Sequence, residues 1–283
     1  AFGLMSAGLS LRAPIWPFHG WFTEVAQEAP SSVFVALCAG TIPVAMYIFV
    51  RVCYTLFPET LGYSATIIVT VGIINLIMGG LCAISQKGLR RLLAFICLSE
   101  VGVVLMGIGS LSTTGVVGSV YQLLIMGLGM AGFGLFSGVI SDRTGHTNFL
   151  NKDGERTLGG IATRAPAVAV VAGIVVASLL GFPGFGGFVG HALVLIGSYA
   201  MHPLSVVVAG CSFLLASYYL FAMYRSVFLG RPGAGFSAFQ DLTMRERAYM
   251  LPLVFSLLFF GLYPKPLIEL IRPTVLTLLS TVK

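Results

Sequence analysis

Long apolar runs separated by short polar turns fill most of the chain, at 31–57, 62–85, 89–110, 115–140, 203–229 and about 247–263. Each is close to or longer than the ~20 residues with which an α-helix crosses a ~30 Å hydrocarbon core. Each therefore predicts a transmembrane helix. One long polar loop, 141–165, interrupts the series. Two regions depart from it. In 1–27 an apolar stretch meets the proline cluster APIWPFHGW at 13–21, and in 166–200 two apolar pieces flank GFPGFGGF at 181–188. Each piece of 166–200 has about 15 residues, roughly 23 Å of helix, too short to cross alone. The segment is either two short helices or one helix broken near the membrane centre.

Composition narrows the class. Of 283 residues 57% are hydrophobic and 9% charged, against roughly 25% charged in a soluble domain. With a mean hydropathy of +0.96, so few charges cannot cover a water-facing surface. The chain reads as an all-α polytopic membrane protein. Its 35 glycines suit close helix approach in lipid. Disorder, a disulfide scaffold and a nucleic-acid binder are excluded as its main identity. Cys38, Cys53, Cys82, Cys97 and Cys211 form no CxxC pair and have no histidine at ligand spacing, so they read as small buried hydrophobes without a metal or haem signature. Ala1 opens inside an apolar run, which fits either a processed N-terminus or part of a longer protein.

Charge placement decides the topology, because Lys and Arg collect on the cytoplasmic side. If 1–27 and 166–200 are each one broken crossing, one face receives Lys87, Arg90, Arg91, Arg143, Lys152, Arg156, Arg164, Arg225, Arg231, Arg245 and Arg247. The other keeps Arg51, Lys265, Arg272 and Lys283. Counting 166–200 as two crossings nearly erases that bias. The expected architecture is about eight crossings, two of them discontinuous at Pro14 and Pro17 and at Gly181, Pro183 and Gly184, with 266–282 as an interfacial helix on the charge-poor face. Opening a helix in lipid frees backbone N–H and C=O groups that protein or cavity water must satisfy. Paired breaks at corresponding places mark a transport path built from repeats.

Specific residues then carry a family likeness. The stretch Arg12 to Trp21, running on to Glu24 and Gln27-Glu-Ala-Pro30, resembles the broken seventh helix of the antiporter-like subunits of respiratory complex I. Gln86 to Ala94 with Ser99-Glu-Val-Gly102 is similar to the cytoplasmic turn and tenth helix, and Gly181 to Gly190 to the broken twelfth helix. Asp241 to Arg247 and Gly261-Leu-Tyr-Pro-Lys-Pro266 favour the M type of subunit. The resemblance implies the seventh to fourteenth helices of a fourteen-helix fold: 1–57 the last two helices of a first repeat, 58–229 a complete five-helix second repeat, and 230–283 a final crossing with the interfacial helix.

The same resemblance exposes departures. The family's proton-path lysines fall at Arg12 and Pro43, its eleventh-helix histidine at Met126 and its twelfth-helix glutamate at His191. The usual Ser-His-Met-Gly reads Ser99-Glu100-Val-Gly102. Arginine keeps its proton and is a poor relay. The remaining proton-path candidates are Arg12, His19, Glu24, Glu100 and His191. Glu100 lies deep in an apolar run, where an acid is costly and usually functional; it serves transport or pairs with a partner chain. His191 handles protons or holds a structural hydrogen bond. His19 and Glu24 pass a proton or pack. Arg90 and Arg91 read as interface anchors, and 141–165 as a solvated loop or docking surface.

What the resemblance implies is a membrane-arm subunit of a proton-translocating NADH–quinone oxidoreductase in a bacterial or mitochondrial energy-conserving inner membrane. Its neighbours would be other antiporter-like subunits, membrane lipids and a separate chain carrying the N-terminal half. It would hold no cofactor, metal or redox site of its own. The lost relay residues lead to the expectation of a mainly structural copy with reduced proton conduction. The rivals are an antiporter-like subunit of a related assembly (a multisubunit cation/proton antiporter, membrane-bound hydrogenase or bicarbonate-uptake complex) and a purely architectural membrane subunit.

Overall fold

The computed structural model describes residues 1–150, 157–230 and 239–282. Lys152, Arg156, Arg231 and Lys283, counted in the charge bias, lie outside them. Among the described residues the elements are helices: α1 Phe2–Arg12, α2 Gly20–Glu28, α3 Ser31–Ala36, a π-helical turn Leu37–Thr41, α4 Ile42–Leu56, α5 Pro58–Ile84, α6 Leu89–Gly109, α7 Thr113–Thr144, α8 Ile161–Arg164, α9 Pro166–Leu179, α10 Gly186–Tyr199, α11 Pro203–Val227, α12 Met244–Leu262 and α13 Lys265–Ser280. Among the described residues five spans are long and apolar enough to cross a membrane, Ser31–Leu56, α5, α6, α7 and α11, and the bent pair α12 and α13 passes the same test only together. The 14-residue α9 and α10 are each too short to do so alone.

Hydrogen bonds between helix ends establish which ends share a face. The α5–α6 turn meets the end of α7, where Leu89 N–H donates to Thr147 O and Phe149 N–H to Lys87 O. Ala162 N–H, just before α9, donates to Phe228 O, just after α11. The Asp241 carboxylate accepts from Ala167 and Val168 N–H in the first turn of α9. Arg143, at the end of α7, donates to the backbone carbonyls of Gln240 and Asp241 and to Glu246 Oε2 in the first turn of α12. All these ends therefore gather on one face, with Arg90, Arg91, Arg143, Arg164 and Arg225. At the other end of the bundle, Ser198 of α10 donates to Met106 O of α6, and Tyr54 of α4 to Ile108 O. Since α9 starts on the basic face and α10 ends opposite it, the two pieces traverse the bundle as one interrupted helix, as the charge bias requires. The pair α1–α2 runs the other way, from Phe2 against Phe57 to Ala29, whose carbonyl accepts from Arg90.

Helix α6 is the hub, buried along nearly its whole length. It lies against α5 at contact distance because Gly72 and Gly102 face each other. A Cβ on Gly102 would come 2.5 Å from Gly72 O, and one on Gly72 would come 2.8 Å from Gly102 O. Small residues at such a crossing are how membrane helices gain van der Waals contact without a hydrophobic drive. Helix α13 turns 74° from α12 and lays Val275, Leu278 and Leu279 inward, with Thr281 donating to Tyr54 O.

Three expectations need correction. The polar loop expected at 141–165 begins as helix: α7 continues through Asp142 and Arg143 and stops at Gly145, whose φ of +77° provides the left-handed cap. The run 31–57 is not uniform helix, because Leu37–Thr41 forms a π turn just ahead of Pro43, which cannot donate to the ladder. Not every cysteine is buried: Cys82 is half-buried and Cys211 exposed. Helix α11 packs through a single stripe of Ala209, Ser212, Tyr219, Leu220, Met223 and Val227, which leaves Cys211 on its outer side.

Candidate functional site

Both helix breaks point at the middle of α6. At the first, α1 ends at Arg12 and α2 begins at Gly20, so backbone groups between them lose their helical partners. Asn75 of α5, fully buried, supplies replacements. Its Oδ1 accepts from Trp16 N–H at 2.6 Å, and its Nδ2 donates to Pro14 O at 3.0 Å and to Leu98 O of α6 at 3.4 Å. One side chain thus closes the opened backbone and ties it to the centre of α6. The proline cluster predicts the break; Asn75 does not stand out in the sequence.

At the second break α9 ends in a left-handed turn. Phe182 N–H donates to Ala177 O and Gly181 N–H to Ser178 O, the paired bonds of a Schellman cap. Gly181 takes φ +67°, and a Cβ there would also strike His191 Nδ1 at 2.5 Å. Glycine is required twice over, by backbone handedness and by the imidazole beside it. Pro183 and Gly184 complete the turn, and Gly184 has φ +94°.

One turn into α10, His191 reaches α6. Its Nε2 lies 3.2 Å from Glu100 Oε2, and both residues are 5% exposed. Gln122 of α7, 1% exposed, completes the group: its Nε2 donates to Glu100 Oε2 at 2.7 Å and lies 3.2 Å from His191 Nε2. The imidazole packs at a tilt against Phe213 of α11, centroids 4.6 Å apart and planes 32° from parallel. Four helices thus fix an acid, a base and an amide around one point.

The chemistry follows from donor and acceptor counting. With a proton on Nε2, His191 donates to Glu100, and the contact is an ion pair only when Nδ1 is protonated as well. With Nε2 bare, the ring accepts from the Gln122 amide, which has two N–H groups for its two neighbours. The Gln122 Oε1 is buried without a partner among the described residues, so the amide has one unused acceptor. An acid and a base in contact, away from bulk water, form a group that can share and pass one proton.

Of the candidates expected from sequence, the structure brings Glu100 and His191 together. Arg12, at the end of α1, and Glu24, on α2, are exposed. His19 is half-buried at the start of α2, with Nδ1 unpartnered among the described residues. Pro14 is buried beside Asn75 and Pro17 exposed. Arg90 bonds Ala29 O at 3.0 Å and Ser31 Oγ, joining α2 to α3, whereas Arg91 is exposed. Met126 is fully buried, and Pro43 lines an apolar cavity of about 550 Å³ with Gly40, Tyr47, Leu124 and Leu267.

Comparison with known proteins agrees across the chain. The profile of the family described as "NADH:quinone oxidoreductase/Mrp antiporter, TM" matches residues 1–217. NADH-quinone oxidoreductase subunit M of Mycobacterium tuberculosis is 31% identical over 280 residues, 99% of this chain and 49% of that protein. The subunit M of Rhodobacter capsulatus is 30% identical over 270 residues, 95% of this chain and 52% of the relative. The chain spans about half the length of the curated relatives it matches. Among solved structures, a chain of respiratory complex I from Thermus thermophilus superposes with TM-score 0.92 at 26% identity, over 100% of this chain and 58% of that one. A chain of the Mrp complex of a Dietzia species gives 0.88 at 20% identity, over 100% and 61%, which shows a shared fold.

Proposed function

The chain belongs to the NADH:quinone oxidoreductase/Mrp antiporter transmembrane family, and we propose on that footing that it is the C-terminal portion of an M-type membrane-arm subunit of NADH–quinone oxidoreductase. In that role it takes part in proton translocation across an energy-conserving membrane, and the redox groups reside in other subunits. The observation that carries the proton role is the buried contact between Glu100 and His191 at the mouth of the second break. A membrane interior tolerates ionisable groups chiefly where they serve transport or pair with one another. Here they pair, and the pair sits where the backbone is opened.

This reading gives the chain a larger part in proton conduction than the mainly structural copy expected from its lost relay residues. Arg12, Pro43 and Met126 remove relay chemistry at their positions, but Glu100 and His191 together supply an acid and a base in contact. The fit to the Mrp chain supports a second reading, a place in a multisubunit cation/proton antiporter. Affinity purification of the tagged chain from its native membrane separates the two. Co-purification of NADH-oxidising peripheral subunits, with quinone-dependent acidification of vesicles, supports the first; an antiporter set lacking NADH oxidation overturns it.

A further inference from the structure

Helices α3 and α6 both begin on the basic face and run side by side. Near their starts Ser31 Oγ accepts from Arg90. One turn on, a Cβ on Gly134 of α7 would strike Val35 Cγ2 and come 3.7 Å from Leu93 Cδ2, so those two side chains cover the same small residue. One turn further, the register brings Cys38 to Cys97, and their thiols hydrogen-bond to each other. Both residues are 0% exposed, and both are free thiols. Cys38 falls in the π turn Leu37–Thr41, where the span already departs from α geometry. Cys97 precedes Glu100 by one turn of α6 and is close enough to interact with its charge.

We propose that Cys38 and Cys97 form a redox-sensitive modification site, closed to a disulfide by hydrogen peroxide. A single buried cysteine acts as a small hydrophobe; two in contact have a chemistry that neither has alone. Rotation about each Cα–Cβ bond moves one sulfur toward the other, and the π turn is the part of the span best able to absorb the backbone shift that closure needs. Burial selects the oxidant, because a small uncharged peroxide enters where a charged or bulky disulfide does not. One sulfur, as thiolate, attacks a peroxide oxygen; the O–O bond breaks, the sulfur becomes a sulfenic acid, and the departing hydroxide leaves as water with the thiol's proton. The second sulfur then attacks the first, the S–S bond forms, the S–O bond breaks, and a second water leaves. The two sulfurs lose two electrons and the peroxide gains them. The bond would tie the span 31–56 to α6 one turn before Glu100. The site stands on thiol chemistry alone, whatever the Glu100–His191 pair does.

The test uses the membrane assembly containing the full-length protein in sealed vesicles. Hydrogen peroxide is added, free thiols are alkylated under denaturing conditions, and the digest is read by mass spectrometry. The expected product is a linked pair of peptides carrying Cys38 and Cys97, two hydrogens lighter than the reduced peptides and separated again by a phosphine reductant. Oxidised glutathione, charged and bulky, should give no such pair while still modifying Cys211, which is exposed. In Cys38→Ala the Cys97 thiol stays open to alkylation after peroxide. Because that variant also changes packing, amide exchange across residues 37–41 is followed in the wild type; it should slow on oxidation and recover on reduction. Cys38 and Cys97 fully alkylated after a dose that oxidises Cys211 would overturn the proposal. So would their appearance as separate sulfinic or sulfonic acids, or a linked pair formed as readily by oxidised glutathione.

Discussion

Replacing Asn75 by alanine removes the only side chain, among the described residues, that bonds both sides of the first break. Its partners, the part-buried Trp16 N–H and the buried Pro14 C=O, would be left with no helical neighbour to take over. Each orphaned backbone group costs about 1–3 kcal/mol, so the pair predicts a loss of about 2–6 kcal/mol. The third bond, to Leu98 O, adds little, because that carbonyl lies within the regular ladder of α6. An ordinary interhelical hydrogen bond in a membrane protein contributes about 0.6 kcal/mol, with a maximum near 1.7. The two accounts are therefore separable. Unfolding of the wild type and Asn75→Ala in mixed micelles gives the free-energy difference, and amide hydrogen exchange across residues 13–18 shows where it is lost. A loss below about 1 kcal/mol, with unchanged exchange at 13–18, would refute the idea that Asn75 closes the break.

Gly102→Ala forces α5 and α6 apart against backbone and should destabilise by about 1–3 kcal/mol, as overpacking does; unfolding midpoints check it. Asp241→Ala removes the acceptor for two amides at the start of α9 and should cost about 1–2 kcal/mol, with faster exchange at residues 167 and 168. Gln122→Leu leaves Glu100 and His191 paired but removes the amide bonded to Glu100; it should slow coupled proton uptake in vesicles without changing the amount of folded protein, whereas a loss confined to folding would mark Gln122 as a packing residue.

The breaks are legible in sequence because proline and glycine leave no doubt about the backbone, and charge asymmetry alone selects one crossing for 166–200. Glu100 and His191 are legible as ionisable groups inside apolar runs. Asn75 and Gln122 are not: an uncharged amide hardly changes the hydropathy of a transmembrane run, and its importance comes from which carbonyl or carboxylate the fold brings opposite it. Arg12, His19 and Glu24 attract attention by chemistry, yet the short helices around the first break leave Arg12 and Glu24 on the outside. The extension of α7 past Ser141 is hidden for the opposite reason, since a helix that has left the membrane can continue through polar residues until Gly145 stops it.

The central claim is that Glu100 and His191 act as one proton-sharing pair. The most direct measurement is proton uptake per NADH oxidised in sealed vesicles for Glu100→Gln, His191→Ala and the exchanged double variant Glu100→His/His191→Glu. The account predicts that each single substitution depresses uptake and that the exchange, which keeps an acid and a base in contact, restores a substantial part of it. Wild-type uptake in both single variants would contradict it.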